Sequence, residues 1–333
     1  MNITVLGAGA WGTALGINLA ARHHVRLWAR DAQQIAAMHR DRVNERYLPG
    51  VAFPDNLQVE AAMDSALAGC DYLIVAATVA GLRPVLRTIR NAQSAAPVVW
   101  LCKGFERPGA RLPHEVFAEE MKDHAGAVLS GPSFAQEVAA GLPAALTLAA
   151  TDRDFAATTA QVLHGPSLRV YSHDDVIGVE VGGAVKNIIA IAAGVCDGLG
   201  LGLNARAALL TRGLAEMTRF AVALGGRAET CMGLAGVGDL ILTCTGDLSR
   251  NRRVGLALAR GETVPSVQAS LGHVAEGVFT AEEVQRRSRD SGIEMPITDA
   301  VCRVLAQPAR AATVVRELLA RDAKPEHALP RGN

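Results

Sequence analysis

The sequence lacks the cysteine and histidine patterns that bind metals or form disulfide frameworks. Its six cysteines are scattered without a C-x-x-C pair, and its nine histidines include no H-E-x-x-H. We therefore expect neither a metal site nor a disulfide framework. Scattered thiols of this kind are typical of a protein in the reducing cytoplasm.

An excess of charge of either sign is also missing. Lys plus Arg and Asp plus Glu number 33 each, so the formal net charge is zero. Electrostatics therefore gives no reason to expect nucleic acid or an anionic membrane as a partner. Half of the 333 residues are hydrophobic, which is enough for two domains with a sizeable core.

Positive residues are absent before the uncharged stretch from Ile3 to Ala21. The stretch has the length of a signal peptide or a membrane span, but Gly7, Gly9 and Gly12 are among the glycines that interrupt it. We interpret it as part of the fold and expect no membrane span.

Short apolar runs alternate with helical segments in the first half of the chain. This alternation predicts an α/β fold with a Rossmann-type, doubly wound and mostly parallel sheet. The predicted strands are 2–6, 25–28, 71–77, 97–101, 127–129 and 145–149, with a further candidate at 168–171, and the helices between them include 80–92, 112–122, 133–140 and 152–163.

Helical periodicity replaces the strand pattern after Asp174. We therefore predict a dinucleotide-binding domain over 1–175 and an all-α substrate domain over 176–322, followed by a frayed tail over 323–333. The predicted helices of the second domain are 204–224, 251–260, 276–291, 296–306 and 309–321.

A glycine fingerprint follows the first predicted strand. Gly7-Ala8-Gly9-Ala10-Trp11-Gly12 is a G-x-G-x-x-G sequence that opens a predicted helix, with a second strand after it. Gly7 permits the tight turn, Gly9 lets the backbone approach a pyrophosphate, and Gly12 lets the helix pack closely on the strand. The strand-turn-helix-strand context predicts a dinucleotide site.

Lys186 is the single cation in the apolar stretch from Gly178 to Gly202. Apolar residues recur there on more than one side of the predicted helix, which indicates a helix buried nearly all round. An ammonium in such a place needs an anion or a ligand. Lys186 is therefore structurally paired, held ready for a substrate, or extended from a helix end into solvent.

Three further polar positions follow predicted strands, where ligands of open parallel sheets bind. Lys103 follows the strand 97–101, and Gly131 and Ser133 follow the strand 127–129. The alternatives are that Lys103 is an ordinary surface lysine and that Ser133 caps the next helix.

Two motifs of the helical half carry polar residues. A glycine-rich loop over 233–238 leads Asp239 into an apolar run, and this carboxylate is the kind of partner that a buried Lys186 requires. Ser249-Arg250-Asn251 offers a guanidinium, an amide and a hydroxyl, which together suit a phosphate. Alternatively, Ser249 caps the helix 251–260 while Arg250 and its neighbouring arginines remain in water.

Six motifs in register closely resemble the bacterial NAD(P)-dependent glycerol-3-phosphate dehydrogenases over residues 1 to about 320. They are GAGAWG, CKGFE from Cys102, SGPSFAQEV from Ser130, VGGAVKNIIAIAAG from Val181, GVGDLILTCTGDLSRNRRVG from Gly236 and VAEGV from Val274. Two positions depart from the family, which often has serine at position 10 and usually threonine at position 102.

The resemblance implies reversible hydride transfer between NAD or NADP and C2 of dihydroxyacetone phosphate, giving sn-glycerol 3-phosphate for glycerophospholipid synthesis. It also implies a Rossmann-type domain, a catalytic Lys186 and two sets of contacts, while a homodimer remains an open alternative. The implied substrate contacts are Lys103, Gly131, Ser133, Lys186, Asp239, Ser249, Arg250 and Asn251. The implied cofactor contacts, besides the glycine fingerprint with Ala10, are Trp11, Arg30, Lys103, Ala135, Arg250, Val274 and Glu276.

Arg30 and Asp31 give opposed indications about the cofactor. Asp31 lies about 20 residues beyond Gly12, where an acid normally binds the adenine ribose of NAD, whereas an arginine there pairs with the 2′-phosphate of NADP. The resemblance assigns the contact to Arg30. We predict that both cofactors work and that NADPH is favoured, the alternative being that Arg30 pairs only with Asp31.

Two other functions remain open at the level of sequence. A different dehydrogenase of this architecture would share the glycine fingerprint but would not need Ser249-Arg250-Asn251. A sensor that only binds dinucleotide would not need Lys186 and Asp239.

Overall fold

The computed structural model describes residues 1–271 and 275–321. Val274, predicted to contact the cofactor, lies outside the described residues, as do residue 322 and the predicted tail over 323–333.

The amino-terminal half of the chain forms the sheet and the helices that cover it. Its strands are β1 Asn2–Leu6, β2 His24–Trp28, β3 Val43–Asn44, β4 Leu48–Ala52, β5 Leu57–Glu60, β6 Tyr72–Val75, β7 Val98–Trp100, β8 Gly126–Ser130, β9 Ala144–Ala149 and β10 Leu168–His173. Its helices are α1 Ala10–Ala20, α2 Ala32–Asp41, α3 Met63–Leu67, α4 Val79–Asn91, α5 Pro113–Glu120, α6 Ala135–Ala139 and α7 Arg153–Leu163.

The described residues of the carboxyl-terminal half form helices joined by turns and loops, with no strand among them. This half contains α8 Val176–Gly198, α9 Gly202–Ala223, α10 Ala228–Cys231, α11 Asp239–Thr245, α12 Arg250–Ala259, α13 Val264–Leu271, α14 Glu276–Asp290, α15 Pro296–Ala306 and α16 Ala311–Leu319. A π-helical turn, Leu234–Gly238, leads into α11, and a 3₁₀ turn, Pro308–Arg310, precedes α16.

Eight strands form one sheet in the order β10-β9-β8-β7-β6-β1-β2-β5. All neighbouring pairs are parallel except β8 and β9, so the prediction of a mostly parallel sheet is confirmed. The inner strands β1, β6 and β7 are almost wholly buried, as expected for strands covered on both faces. The chain order reverses at β1, which lies between β6 and β2, and this arrangement opens a crevice beyond its carboxyl end.

The stretch from Ile3 to Ala21 is part of this sheet and its first helix. It forms β1 and α1, and α1 has seven buried residues. Its interpretation as part of the fold is therefore confirmed.

Helix α8 is the centre of the helical half. It has the length and apolar composition of a membrane span, but 89 % of its apolar window is buried inside the protein. Glycines let neighbouring segments lie against its backbone: a Cβ added at Gly182 would lie 2.5 Å from the Ala235 carbonyl oxygen, and one at Gly194 would lie 2.1 Å from that of Arg252. The prediction of a helix buried nearly all round is confirmed.

Two local predictions differ from the structure. Residues 234–238 were expected to form a loop, but they form a π-helical turn that continues into α11, because Gly236 packs tightly on the backbone of Cys231. The segment 32–60, to which the apolar pattern assigned no strand, contains the hairpin of β3 and β4 and the edge strand β5.

Candidate active site

The carboxyl edge of the sheet faces α8 and α11. Lys103 lies three residues beyond the end of β7, and Gly131 lies directly after β8. On the opposite side, Lys186 projects from α8 and Asp239 begins α11. Hydrogen bonds join these four residues across the two halves of the chain.

Asp239 binds two lysines at once. Its Oδ1 accepts a hydrogen bond from Lys186 Nζ, and its Oδ2 accepts one from Lys103 Nζ at 2.6 Å. Lys186 Nζ also donates to the Thr243 hydroxyl at 2.9 Å, and Lys103 Nζ donates to the Gly131 carbonyl oxygen at 3.2 Å. Lys186 is therefore paired with the anion that its burial requires.

Burial sets the proton affinity of this pair. It lowers the pKa of Lys186 to about 8, because removing the ammonium from water outweighs the stabilising charge of Asp239, and the charge of Lys103 adds to the lowering. Burial acts to raise the pKa of Asp239, but the charges of Lys103 and Lys186 outweigh it and hold that pKa below its usual value. The site thus keeps a carboxylate ionised beside an amine that titrates in the accessible pH range.

Two buried amides continue the site beyond the lysines. Asn251 Nδ2 donates to Asn187 Oδ1 at 2.8 Å, and Asn251 Oδ1 accepts from the Gly277 backbone N–H at 3.1 Å. The chain of bonds joins α8 to α12 and to the first turn of α14. Sequence reasoning missed Asn187, although a polar residue beside Lys186 in an apolar helix was a usable signal.

Ser249 and Arg250 have different environments at the start of α12. The Ser249 hydroxyl accepts from the Arg252 backbone N–H at 3.2 Å, so it does cap this helix. Arg252 is held by Asp197 and Asp247 instead of remaining in water. Arg250 is exposed and forms no ion pair within the described part of the chain, which leaves its guanidinium available to a ligand.

Glu276 begins α14 near the same cations. Burial raises its pKa, and the charges of Arg250, Lys103 and Lys186 oppose that shift. The bond from the Gly277 backbone N–H to Asn251 places the start of α14 against α12, next to Arg250.

Ser133 and Ala135 follow β8, close to Gly131 in the chain. The Ser133 hydroxyl donates to the Gly131 carbonyl oxygen at 3.0 Å. It does not cap α6, whose N-cap residue is Phe134 and whose cap lacks a side-chain hydrogen bond. Ala135 starts α6, a helix that packs on α1, and its side chain contacts the apolar cluster that includes Trp11.

The glycine fingerprint forms the turn between β1 and α1. Gly7 has φ +125°, and a Cβ there would lie 2.5 Å from the Ala76 carbonyl oxygen on the neighbouring strand connection. A Cβ at Gly12 would lie 2.1 Å from the Gly7 carbonyl oxygen, whereas one at Gly9 would meet nothing within 4 Å. Gly7 and Gly12 are therefore needed for packing, and Gly9 faces open space.

The amino terminus of α1 is open at this turn. Ala10 begins the helix, and its N-cap Gly9 provides no side-chain hydrogen bond, so the first N–H groups face the space above Gly9. Gln34 and Asn44 both donate to the Ala8 carbonyl oxygen, at 2.7 and 3.0 Å, and hold the turn from below. This arrangement suits a pyrophosphate, and Gln34 and Asn44 were not identified from the sequence.

Arg30 and Asp31 point to different surroundings after β2. Asp31 caps α2 through the backbone N–H groups of Gln33 and Gln34, and it pairs with Arg46 at 2.9 Å. Arg30 is exposed and forms no ion pair with any residue in the ranges 1–271 and 275–321. The alternative in which Arg30 pairs only with Asp31 is therefore not the arrangement found.

A helix N-terminus open to a pyrophosphate and a buried lysine share one edge of the sheet. This combination defines a class of protein, the dinucleotide-dependent dehydrogenases.

Comparison with known proteins narrows the class to one family. Residues 2–156 match the family model of the NAD-dependent glycerol-3-phosphate dehydrogenase N-terminus, and residues 175–316 match that of the C-terminus. The chain is 54 % identical over 327 residues to the glycerol-3-phosphate dehydrogenase of Dechloromonas aromatica, covering 98 % of this chain and 99 % of the relative. It is 55 % identical to the one of Nitrosospira multiformis, with the same two coverages.

Solved structures agree with this result. The crystal structure of glycerol-3-phosphate dehydrogenase from Coxiella burnetii superposes with a TM-score of 0.92 at 43 % identity, covering 96 % of this chain and 99 % of that one. The chain therefore belongs to the family of NAD-dependent glycerol-3-phosphate dehydrogenases, and the predicted resemblance and fold class are confirmed.

Proposed function

We propose that the chain reduces dihydroxyacetone phosphate reversibly to sn-glycerol 3-phosphate with NAD(P)H, with Lys186 as the proton donor. Membership of the family, whose relatives are named as NAD(P)+-dependent glycerol-3-phosphate dehydrogenases, supports this reaction. The observation that carries the mechanism is the buried Lys186–Asp239 pair at the sheet edge beside the dinucleotide turn. The product would serve glycerophospholipid synthesis.

The residues of the glycine turn fit a dinucleotide. The space over Gly9 and the open N–H groups of α1 would receive the pyrophosphate, and Trp11 lies in the first turn of that helix. Glu276 and Ala135 would complete the contacts predicted for the cofactor. When bound, the nicotinamide supplies or accepts the hydride.

Lys186 would act on the substrate oxygen. Reduction of the carbonyl carbon develops negative charge on that oxygen, and a protonated Lys186 stabilises the charge and donates the proton. Asp239 and the Thr243 hydroxyl accept two of the three N–H groups of the ammonium, and the third is left for the substrate oxygen. Lys103, held on the second oxygen of Asp239, adds positive charge at the same place.

Arg250 would bind the substrate phosphate. Its guanidinium is exposed beside Asn251, and the backbone N–H groups at the start of α12 add donors. Gly131 and Ser133 line the opposite side of the site. Fixing the phosphate orients the ketone toward Lys186, which is how remote binding contributes to the rate.

The pH dependence of the reaction tests the proposed role of Lys186. Reduction needs the protonated amine, so kcat for dihydroxyacetone phosphate should be near its maximum at pH 7, about half of it near pH 8, the pKa of Lys186, and lower still at higher pH. Oxidation of sn-glycerol 3-phosphate needs the neutral amine, so its kcat should rise through the same range. Absorbance of NADPH followed from pH 7 to 10 in both directions measures the two profiles.

Two results would contradict this proposal. Absence of turnover with dihydroxyacetone phosphate, together with turnover of an unphosphorylated 2-oxo acid, would identify a different dehydrogenase. Profiles without a transition near pH 8 in either direction would remove Lys186 as the proton donor.

The preference for NADPH is a further proposal, based on Arg30, which is exposed and has no ion pair among the described residues. Arg30→Ala should lower kcat/KM for NADPH about 10- to 100-fold, the effect of losing one charge-assisted contact with the 2′-phosphate, and should leave the NADH value unchanged. Arg40→Ala is the matched control, because Arg40 is also exposed but pairs with Asp41. An unchanged NADPH/NADH ratio in Arg30→Ala would show that Arg30 does not contact that phosphate.

The cytoplasm is the proposed location of the protein. All six cysteines are unpaired, which is typical of a reducing compartment. We also propose that two copies form a homodimer, and sedimentation of the purified protein tests this assembly.

A further inference from the structure

The loop between β7 and α5 crosses from the core of the sheet to the core of the helical half. We name residues 103–112 the strap. It begins with Lys103, and its side chains Phe105, Ala110 and Leu112 belong to the hydrophobic cluster of the helical half. Val116 and Phe117, which follow it on α5, belong to the cluster under the sheet. The strap therefore packs on the helical half and leads into a helix of the sheet half, with its first residue, Lys103, in the site.

One anchor ties the strap to the sheet half. Glu106, three residues after Lys103, accepts two hydrogen bonds from the Arg83 guanidinium, at 2.6 and 2.8 Å. Arg83 lies on α4 and is held from its other side by Glu119 and Glu120, at 2.7 and 2.6 Å. The side chains of Arg83 and Glu106 are 16 % and 11 % exposed, so this bidentate pair is poorly screened by solvent.

A second anchor ties the strap to α14. Arg107 pairs with Glu282 at 2.8 Å and with Glu283 at 3.3 Å, and its guanidinium lies 5.1 Å from the centre of the Phe279 ring. A Cβ at Gly104 would lie 2.7 Å from the Thr280 hydroxyl oxygen. The strap is thus held against the same helix that begins with Glu276.

We propose that Glu106 is a positioning residue, which holds the strap so that the Lys103 ammonium stays on Asp239 beside Lys186. Lys103 is the first residue of the strap, and its 2.6 Å bond to Asp239 closes the link between the two halves. Without the Arg83 anchor, the amino-terminal end of the strap is free to shift and Lys103 withdraws from Asp239. This inference rests on the proposed role of Lys186 as the proton donor.

The consequence of such a withdrawal is measurable at Lys186. The charged and titratable groups that act there are Asp239 from α11, Lys103 from the strap, Glu276 from α14 and Cys244 from α11. Withdrawal of Lys103 removes a positive charge near Lys186 and leaves Asp239 to pair with Lys186 alone. Both changes favour the protonated amine, so the pKa of Lys186 rises.

Glu106→Ala is the test variant, and Glu120→Ala is its matched control. Both carboxylates are buried partners of Arg83, but only Glu106 belongs to the strap. Glu106→Ala should lower kcat about tenfold and move the alkaline decline of kcat for dihydroxyacetone phosphate upward by about one pH unit, the effect of moving a unit charge by a few ångströms in a partly buried site. Glu106→Gln keeps an oxygen for Arg83, so its loss of kcat and its shift of the pH profile should both be smaller than those of Glu106→Ala. Glu120→Ala should leave the pH profile in place.

The outcomes separate this inference from the proposed function. An unchanged alkaline limb in Glu106→Ala, or an equal shift in Glu120→Ala, overturns the positioning role while leaving the proposed function intact. A wild-type profile without an alkaline limb contradicts the proposed function and this inference with it. If Glu106→Ala does not fold, Glu106→Gln decides, since its amide oxygen can accept only one of the two bonds that Arg83 donates to the carboxylate: an upward shift smaller than one pH unit supports the role, and no shift overturns it.

Discussion

Lys186→Met is expected to abolish turnover while preserving the fold and cofactor binding. The substitution removes both a donor to the developing oxyanion and the proton source. Loss of one such donor costs about 100- to 1000-fold in kcat, and loss of the proton should increase the effect. Steady-state assay with dihydroxyacetone phosphate measures it, and quenching of protein fluorescence by NADPH checks that the cofactor still binds.

The structure explains why this variant should remain folded. Asp239 keeps Lys103 as a partner at 2.6 Å, so no buried charge is left unpaired, and methionine occupies about the volume of the lysine stem. The melting temperature should therefore be unchanged or higher. A variant that retains more than about a tenth of the wild-type kcat would make Lys186 a structural residue and would exclude the mechanism proposed above.

Arg250→Ala is expected to lose most of the discrimination between phosphorylated and unphosphorylated substrate. Breaking a charge-assisted contact with phosphate should cost about 2–5 kcal/mol in kcat/KM for dihydroxyacetone phosphate. Dihydroxyacetone carries no phosphate, so its much lower kcat/KM should hardly change. The ratio of the two values, in wild type and variant, measures the contribution of Arg250 to phosphate binding.

Arg253→Ala is the control for this experiment. Arg253 is exposed on the same helix, and its guanidinium donates to the Asp247 carbonyl oxygen at 2.9 Å. Its removal should leave the substrate ratio unchanged. If Arg250→Ala lowers kcat/KM by the same factor for both ketones, Arg250 lies elsewhere in the site.

Much of the fold follows from the sequence because its signals are local. The buried strands are short apolar runs, and the glycine spacing from Gly7 to Gly12 is specific for the turn between β1 and α1. Helix α8 was predictable for the same reason, since its apolar residues cover every side. A single lysine in such a helix was enough to predict an anionic partner, and Asp239 is that partner.

The features that sequence reasoning missed depend on contacts between distant residues. β5 pairs through four residues and has only two buried side chains, so its alternation is too short to recognise. Asn187 and Asn251 lie 64 positions apart, and only the packing of α8 on α12 brings their amides together. The strap has no periodic pattern from which its contacts could be predicted. Its partners, Arg83 on α4 and Glu282 on α14, are distant in the sequence.

The close approach at Gly182 has a consequence for protein engineering. Replacing helical glycines with alanine is a standard way to raise thermostability, worth about 0.5–1 kcal/mol where the conformation permits. A methyl group at Gly182 would instead push α8 away from the turn that carries Asp239, since it would lie 2.5 Å from the Ala235 carbonyl oxygen. The absence of a side chain at Gly182, four residues before Lys186, therefore allows α8 to lie close enough for Lys186 to contact Asp239. Choosing alanine at this position for its helix propensity would lower activity.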